Sequence, residues 1–538
     1  MGKRQFWFWL ALFTGLNVLT ALFTELYNDE AYYWAYSRFL DWGYFDHPPV
    51  IALLIKIGYG LIPNELGVRL LSILSVSGAL WLVFKVAGTN DVKLFALLLF
   101  SVFPFFLFGF IALPDSPMLF SVALFFYAYQ QFLKEESWKW TLILAAVMAF
   151  MLYTKYMGVL IILFTLASNI NLLKSKWFWM ASIIGAMLFV PHLYWQYAND
   201  FPSVKFHLVD RSAKAYNYTF TLEYIGAQLF FYGPFVGLFL YWAALRTAAG
   251  DVFEKALKYS VGGTLVFFLL SSFKGRVEVN WTLGMLVPLV ILAMRYFQKP
   301  SAARLWLERA AWVSILIVLL VRIHVIHPLA DFKKDRAKDF HGHRVFADDV
   351  AAKANGLPIV AHRYQTASSL WFYTGKPVPV LNLNTRFSQY DLWQFDSTWV
   401  NKPAFFVNKE LKAGKPLADG MSLIKLDSFP VFKLIQPEVI MSDSGPVVHV
   451  NWQKEKEFYA FTKRYPVIAR VEFFNQDGIV IFTQDVELVP HNPTTPIEVP
   501  QELLKSLKAA QTTIQTRDLG IIRKFPLTPF KHDASKAH

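Results

Sequence analysis

Asn28-Asp29-Glu30-Ala31-Tyr32-Tyr33-Trp34-Ala35-Tyr36-Ser37-Arg38, continued through Trp42-Gly43-Tyr44-Phe45-Asp46-His47-Pro48-Pro49, decides how this chain is read. It directly follows a hydrophobic run, Phe6 to Thr24, that is long enough to cross a bilayer. Two carboxylates come first, then a dense aromatic segment with one arginine, then an acid–histidine pair locked by two prolines. A plain connector has no need of Asp29 and Glu30 pressed against the mouth of a membrane helix. Carboxylates held at a membrane surface on a platform of Tyr and Trp suit chemistry on an amphiphilic substrate.

The rest of the chain supports a membrane setting. Hydrophobic residues make up 55% of the 538, aromatics 17%, and the mean hydropathy is +0.35. The first 327 or so residues therefore read as a polytopic α-helical membrane domain. The net charge of +13 is the signature of Lys and Arg in cytoplasmic loops, and it gives no ground for nucleic-acid binding. There is no cysteine, which excludes disulfides, thiolate metal sites and a Cys nucleophile together.

Met1-Gly2-Lys3-Arg4 before the first run reads as the cytoplasmic start of an uncleaved anchor. Further apolar runs follow from charge to charge: Leu70–Phe84, Leu94–Pro114, Ser116–Leu133, Trp140–Thr154, Tyr156–Leu173 and Trp177–Tyr197. Tyr224–Leu245, Tyr259–Phe273, Val279–Met294 and Ala310–Val321 complete eleven expected crossings. Several are short against the ~20 residues of a span, so those helices must tilt or carry flanking charge. Alternating sides puts Lys85, Lys93, Lys134, Lys139, Lys174, Lys176, Arg246, Lys255, Lys258, Arg295, Lys299, Arg304 and Arg309 in cytoplasmic loops. Each of those loops is basic, as the positive-inside rule requires.

Five outer loops then share one face. The first holds Asp29, Glu30, Asp46 and His47, and the second is Leu113-Pro114-Asp115-Ser116-Pro117. The third is Tyr153-Thr154-Lys155-Tyr156, and the fourth, Asn199 to Glu223, carries Lys205, His207, Asp210 and Arg211. The fifth is Lys274-Gly275-Arg276-Val277-Glu278-Val279-Asn280-Trp281. Each residue alone has a plain structural reading. Asp115 suits a helix N-cap, and Lys155 suits a lysine snorkelling to the headgroups. Lys274 and Arg276 suit interfacial anchors, and the aromatics at 32–36 suit an interface belt. Together, charges at membrane depth on one face point to function. A carboxylate there takes a proton from an acceptor hydroxyl, and cations hold a phosphate as it becomes a leaving group. Sugar transfer from a lipid-phosphate donor needs both, on the face where nucleotide sugars are absent.

The motifs at residues 29–34, 43–49, 113–117 and 154–156, with Val277-Glu278-Val279-Asn280-Trp281, resemble those of bacterial GT-C glycosyltransferases. The nearest group is related to the dolichyl-phosphate-mannose protein mannosyltransferases and the lipid A aminoarabinose transferase. The resemblance covers roughly residues 1–325. It implies a GT-C membrane domain in a bacterial inner membrane. The reaction would be an inverting transfer from a polyprenyl-phosphate sugar to a hydroxyl of protein, lipid A or polysaccharide on the periplasmic face. By the same resemblance Asp29 is the base, with Glu30 beside it and Asp115 as the second acid. The family's Glu-Lys-Pro segment falls on Asp46-His47-Pro48, so His47 stands where relatives have a phosphate-binding lysine. Weight for the donor phosphate therefore moves to Lys155, with Asp46, Arg211, Lys274 and Arg276 as weaker candidates. No cofactor is implied, and no metal-ligand spacing is present, although a divalent-ion oligosaccharyltransferase-like enzyme shares this acidic-loop logic. A lipid or glycan flippase is the other class, and it would show matching halves that this sequence lacks.

The tail is expected outside the cytoplasm in two parts. Residues 328–420 read as a small α/β region, with a strand after Gly356, a helix over Gln365–Tyr373 and a strand over Val378–Leu383. Residues 421–538 read as β-rich, through Val431–Ile435, Val447–Trp452, Val467–Phe474 and Ile479–Val486, with a hairpin turn at Asn475-Gln476-Asp477-Gly478. The run Lys333-Lys334-Asp335-Arg336 reads as a solvated linker, and the tail as a shaper of acceptor access without chemistry of its own.

Overall fold

The computed structural model describes residues 2–207, 216–330, 332–333, 335–381, 388–393, 402–408, 415–417, 421–427, 435–442, 445–452, 467–489, 494–516, 520–524 and 527–530. They form two compact units, Met1–Gly342 and His343–His538.

The first unit is helical. It begins with α1 (Gly2–Leu22), α2 (Asn28–Arg38), α3 (Val50–Leu61), α4 (Glu65–Ala87), α5 (Val92–Ser101), α6 (Phe103–Phe110) and α7 (Asp115–Lys134). It continues through α8 (Trp138–Thr154), α9 (Gly158–Ser168), α10 (Lys176–Ala198), α11 (Pro202–Lys205), α12 (Tyr218–Phe231), α13 (Val236–Arg246) and α14 (Val252–Ser271). A 3₁₀ stretch, Val279–Met285, leads into α15 (Leu286–Phe297), and α16 (Ala302–Ile326) closes the bundle. Local chemistry explains many boundaries. Asn64, Asp91, Ser175, Asp251 and Ser301 each cap a helix by accepting a backbone N–H with the side chain. Between α3 and α4 the chain turns so tightly that a Cβ at Gly67 would lie 1.7 Å from the Ile62 carbonyl oxygen. The core is built from α4, α5, α7 and α15, with Val76, Leu98, Phe126 and Ile291 wholly or almost wholly buried.

All eleven charge-bounded apolar runs fall on helices. Among the described residues five helices are long and apolar enough to cross a membrane, and two bent pairs, each counted as one span, bring the number to seven. The pairs are α5 with α6, bent by 69°, and α12 with α13, bent by 96°. These criteria count fewer crossings than the eleven expected, in part because α8 and α9 are shorter apolar helices. The sequence reading missed α3. Its twelve residues follow Pro48-Pro49, include Lys56, and are too short for a span. The alternation of basic loops does find support in the packing. Arg304 pairs with Asp91, Lys93 with Glu308 at 2.6 Å, and Arg295 with Glu254 at 3.0 Å, so these loops meet at one end of the bundle.

The second unit carries α17 (His343–Ala354), α18 (Tyr364–Thr374), α19 (Gln389–Leu392) and three sheets. In the first, β1 (Ile359–Ala361), β2 (Ala404–Asn408), β3 (Lys415–Pro416) and β4 (Ser422–Leu426) run in the order β1-β2-β4-β3, with only β1 and β2 parallel. The second joins β5 (Ile435–Ser442), β6 (Gly445–Trp452) and β9 (Thr494–Pro496). The third joins β7 (Val467–Phe474), β8 (Val480–Leu488), β10 (Ala509–Thr516), β11 (Gly520–Lys524) and β12 (Thr528–Pro529). Phe406, Val448, Val471 and Ile514 from all three sheets share one core. The expected strand at β1, the helix at α18 and the strands at β6, β7 and β8 are present. The β7–β8 turn holds Gly478 at φ +73° with Asn475 N–H donating to Ile479 O at 3.0 Å. Of Val378–Leu383 the described part makes a single bridge, Val380 to Ala361, and residues 382–383 lie outside the described residues. Of Val431–Ile435 only Ile435 is described, and Lys334 also lies outside the described residues. The α/β to β-rich boundary expected at 420 falls inside the first sheet, because β4 pairs with β2.

Candidate functional site

Three polar clusters lie at the end of the bundle opposite the basic loops, and each is assembled from loops far apart in sequence. The first fixes the start of α2. Glu30 stands at the third position of that helix and accepts the Tyr27 N–H at 2.9 Å. Its two oxygens also take a bidentate pair from Arg69 of α4, Nε to Oε1 at 2.8 Å and Nη2 to Oε2 at 2.6 Å. The Ala112 N–H donates to Oε1 at 2.7 Å. Both side chains are fully buried. Arg69 spends its remaining donors on the carbonyls of Ala21, Thr24 and Glu25 and on Thr24 Oγ1, the bend between α1 and α2. A forked, fully desolvated pair of this kind sets geometry rather than reacts. Asp29, one position earlier, is half-buried in the same first turn. Successive helical side chains diverge by ~100°, so anchoring Glu30 fixes where Asp29 stands.

The second cluster joins three loops. Asp115, in the first turn of α7, accepts Lys155 Nζ at 2.7 Å and Asn280 Nδ2 at 3.2 Å. Lys155 is the C-cap residue of α8. The helix dipoles favour an acid at the first position and a base at the second. Both side chains are nearly buried, which sets aside the snorkelling reading of Lys155. Asp115 is the one acceptor of Lys155 among the described residues, so two of the three ammonium protons remain.

The third cluster seats the first outer loop. Tyr36 of α2 donates to buried Asp46 at 2.5 Å. Burial first, and the Asp46 carboxylate second, push the Tyr36 phenol well above its ordinary range, so it stays a donor. His207 Nε2 lies 3.2 Å from the Asp46 carbonyl. His192 Nδ1 sits 2.7 Å from the Trp42 carbonyl, so in its neutral form Nε2 accepts the Tyr156 hydroxyl at 3.0 Å. Gln196 donates to Tyr156 Oη at 3.0 Å and to Ser203 Oγ at 2.7 Å, and Ser203 donates to the Tyr44 carbonyl at 3.0 Å. Trp195 Nε1 holds Asp41 at 2.8 Å. Gly43 fits beneath this wall because a Cβ there would come within 2.4 Å of the Trp195 ring.

The three clusters are linked along the chain. The turn at 112–115 serves Glu30 with its first residue and Lys155 with its last. Consecutive Lys155 and Tyr156 serve the second and third clusters. The structure thus pairs Glu30 with Arg69, Asp115 with Lys155 and Asp46 with Tyr36, leaves Asp29 beside Glu30 in the first turn of α2, and puts His47 in contact with the Tyr33 ring at 5.4 Å. Lys274 and Arg276 are exposed, and Arg276 pairs with Glu223 at 3.2 Å instead of joining the network. Arg211 and Asp210 lie outside the described residues. Sequence reading missed Arg69, Asp41, His192, Gln196 and Asn280 as contributors. Arg69 borders the apolar run Leu70–Phe84, where a charge reads only as the limit of a span. Among the described residues no three His, Asp or Glu side chains are placed to hold a metal ion.

Residues 46–195 match the family model described as dolichyl-phosphate-mannose-protein mannosyltransferase. The chain is 26% identical over 324 residues to the lipid A galacturonosyltransferase RgtD of Rhizobium johnstonii, covering 55% of this chain and 66% of that relative. The match therefore spans just under two thirds of the relative's length. The fold is that of ArnT from Cupriavidus metallidurans. The apo crystal structure aligns at a TM-score of 0.52 and 15% identity, over 74% of this chain and 92% of ArnT. The crystal structure bound to undecaprenyl phosphate aligns at 0.57 and 14%, over 83% and 98%.

Proposed function

We propose that this chain, similar over much of its length to lipid-modifying GT-C glycosyltransferases, is an integral membrane inverting glycosyltransferase. It moves a sugar from a polyprenyl-phosphate donor to a hydroxyl on a lipid A-like glycolipid. A protein or polysaccharide hydroxyl is the alternative acceptor. The observation that carries this reading is the set of buried contacts Glu30–Arg69, Asp115–Lys155–Asn280 and Tyr36–Asp46, drawn from four outer loops. The names of the curated relative and of the ArnT complex support a glycolipid acceptor and a polyprenyl carrier.

In this mechanism the acceptor hydroxyl attacks the anomeric carbon from the face opposite the phosphate. Asp29 takes the hydroxyl proton as the new C–O bond forms. The bond from the anomeric carbon to the phosphate oxygen breaks, and its electron pair stays on the lipid phosphate. The free N–H groups of Lys155 stabilise that charge, and Asp115 holds the ammonium in place. Glu30 acts through Arg69 as a positioning residue for Asp29. His47 and Asp46 shape the donor side, and Arg211, Lys274 and Arg276 contribute at most to the wider electrostatic field. Eleven crossings would put this network and the second unit on the periplasmic face of a bacterial inner membrane.

The test is Asp29→Asn, which keeps size and hydrogen bonding but removes the proton acceptor. Turnover of a purified preparation falls ~10²-fold or more while donor binding is retained. Normal turnover in Asp29→Asn with loss in Asp115→Asn would move the base to Asp115. Normal turnover in both would end the enzyme reading.

A further inference from the structure

Apart from the three clusters, α16 carries a buried arginine that the sugar-transfer reading does not use. Arg322 is 6% exposed and stands four residues before the end of that helix, ~6 Å along its axis. All its acceptors among the described residues belong to α1. Nη1 donates to the Leu16 carbonyl at 2.7 Å and to Thr20 Oγ1 at 2.5 Å, and Nη2 donates to Asn17 Oδ1 at 2.9 Å. The Nε proton and one Nη2 proton are left without an acceptor among the described residues, and no carboxylate balances the charge there. Buried Asn17 Nδ2 also lacks a partner. The guanidinium lies over the Phe106 ring, 4.6 Å from its centroid. A cation tied to helix-interior oxygens is not snorkelling, and an unbalanced charge at membrane depth points to a ligand.

Arg322 lines an open groove of about 560 Å³ between α1, α5 and α16. Trp9, Leu12, Phe100, Trp312, Ile315 and Leu319 are among its apolar walls, and Gln5, Lys93 and Arg322 are its polar members. Lys93 is paired with Glu308 at 2.6 Å, so the unbalanced charge sits at the Arg322 end. Along α1 the lining runs from Gln5 to Leu16, a rise of ~17 Å, or about half the hydrocarbon thickness. We infer that this groove holds an acyl chain of an anionic phospholipid, whose phosphate is taken by Nε and Nη2 of Arg322. The inference stands independently of the sugar-transfer reading. A groove one leaflet long fits an acyl chain, whereas a membrane helix of a second copy would need the full ~30 Å. The 25 residues of α16 span ~37 Å, so Arg322 stands just beneath the headgroup boundary, where a phospholipid's phosphate meets its chains. A guanidinium offers paired N–H donors to two phosphate oxygens, and a headgroup without a cation of its own leaves the phosphate charge free to balance Arg322.

The test is native mass spectrometry of the full chain in detergent, titrated with dioleoyl phosphatidylglycerol, dioleoyl phosphatidylcholine or oleate, which reads lipid and subunit number together. The unaltered protein should retain one phosphatidylglycerol at least about tenfold more tightly than either of the others. Arg322→Met removes the charge and should bring phosphatidylglycerol to within about twofold of phosphatidylcholine. Leu319 is exposed in the groove, three residues before Arg322, so Leu319→Trp fills the chain's space without entering the core or touching the bonds of Arg322 to α1. It should weaken phosphatidylglycerol about tenfold, and it carries the test if Arg322→Met does not fold. Equal retention of phosphatidylglycerol and phosphatidylcholine by the unaltered protein overturns the assignment, as does unchanged phosphatidylglycerol retention in either folded variant. Tighter retention of oleate would overturn it in favour of a free fatty acid. A dimer that Leu319→Trp splits would overturn it in favour of a second copy.

Discussion

Glu30→Gln separates anchoring from catalysis at the acidic pair. Glu30 accepts four hydrogen bonds at 2.6–2.9 Å in a fully buried site, two of them from Arg69. The amide keeps one acceptor oxygen but turns the other corner into a donor facing donors. Arg69 is left charged, buried and half-satisfied, at a cost of ~3–5 kcal/mol. That is a large fraction of the ~5–15 kcal/mol margin of a folded domain, and corresponds to a fall in melting temperature on the order of 10 °C. Thermal unfolding in detergent, read alongside turnover, checks it. Glu30→Gln should lose stability and activity together, whereas Asp29→Asn should lose activity alone. Adding Arg69→Met to Glu30→Gln should recover part of the stability, because the orphaned charge is gone. A Glu30→Gln protein that melts normally yet does not turn over would place Glu30 in the chemistry and refute the anchoring argument.

Lys155→Met should cut affinity for the donor phosphate about ten- to a hundredfold, as loss of a charge-assisted hydrogen bond does. In titrations, adding Asp115→Asn should restore stability without restoring that affinity. Tyr36→Phe leaves the Asp46 carboxylate buried without its short donor and should cost ~1–3 kcal/mol, read as a lower melting temperature with the same donor affinity. Reporter fusions at Lys258 and Lys333 should report opposite sides of the membrane, and the same side for both would break the proposed orientation of the site.

The part of this architecture legible in the sequence was the part carried by local pattern. Each charge-bounded apolar run became helix, because burying backbone amides in hydrocarbon leaves the chain little else. The acidic pair at 29–30 was visible because carboxylates beside a span are expensive. Its division of labour was not, since that depends on Arg69, thirty-nine residues away, arriving in the same buried site. Asp115 and Lys155 were each recognised, but their pairing across forty residues had no sequence signal. α3 escaped because a twelve-residue apolar helix matches neither a span nor a loop. In the tail, period-two alternation located β7 and β8, while the membership of β4 in the first sheet depends on long-range pairing that composition does not encode.

Asn280 closes the second cluster from a position 165 residues after Asp115. During synthesis Asp29, Asp115 and Lys155 are threaded into the membrane well before that asparagine leaves the ribosome. A nascent or stalled chain therefore holds every charged group of the network and lacks the contact that completes it. The second cluster is therefore assembled only after most of the helices of the first unit have been made, and a chain cut short before Asn280 would leave Asp115 with Lys155 alone.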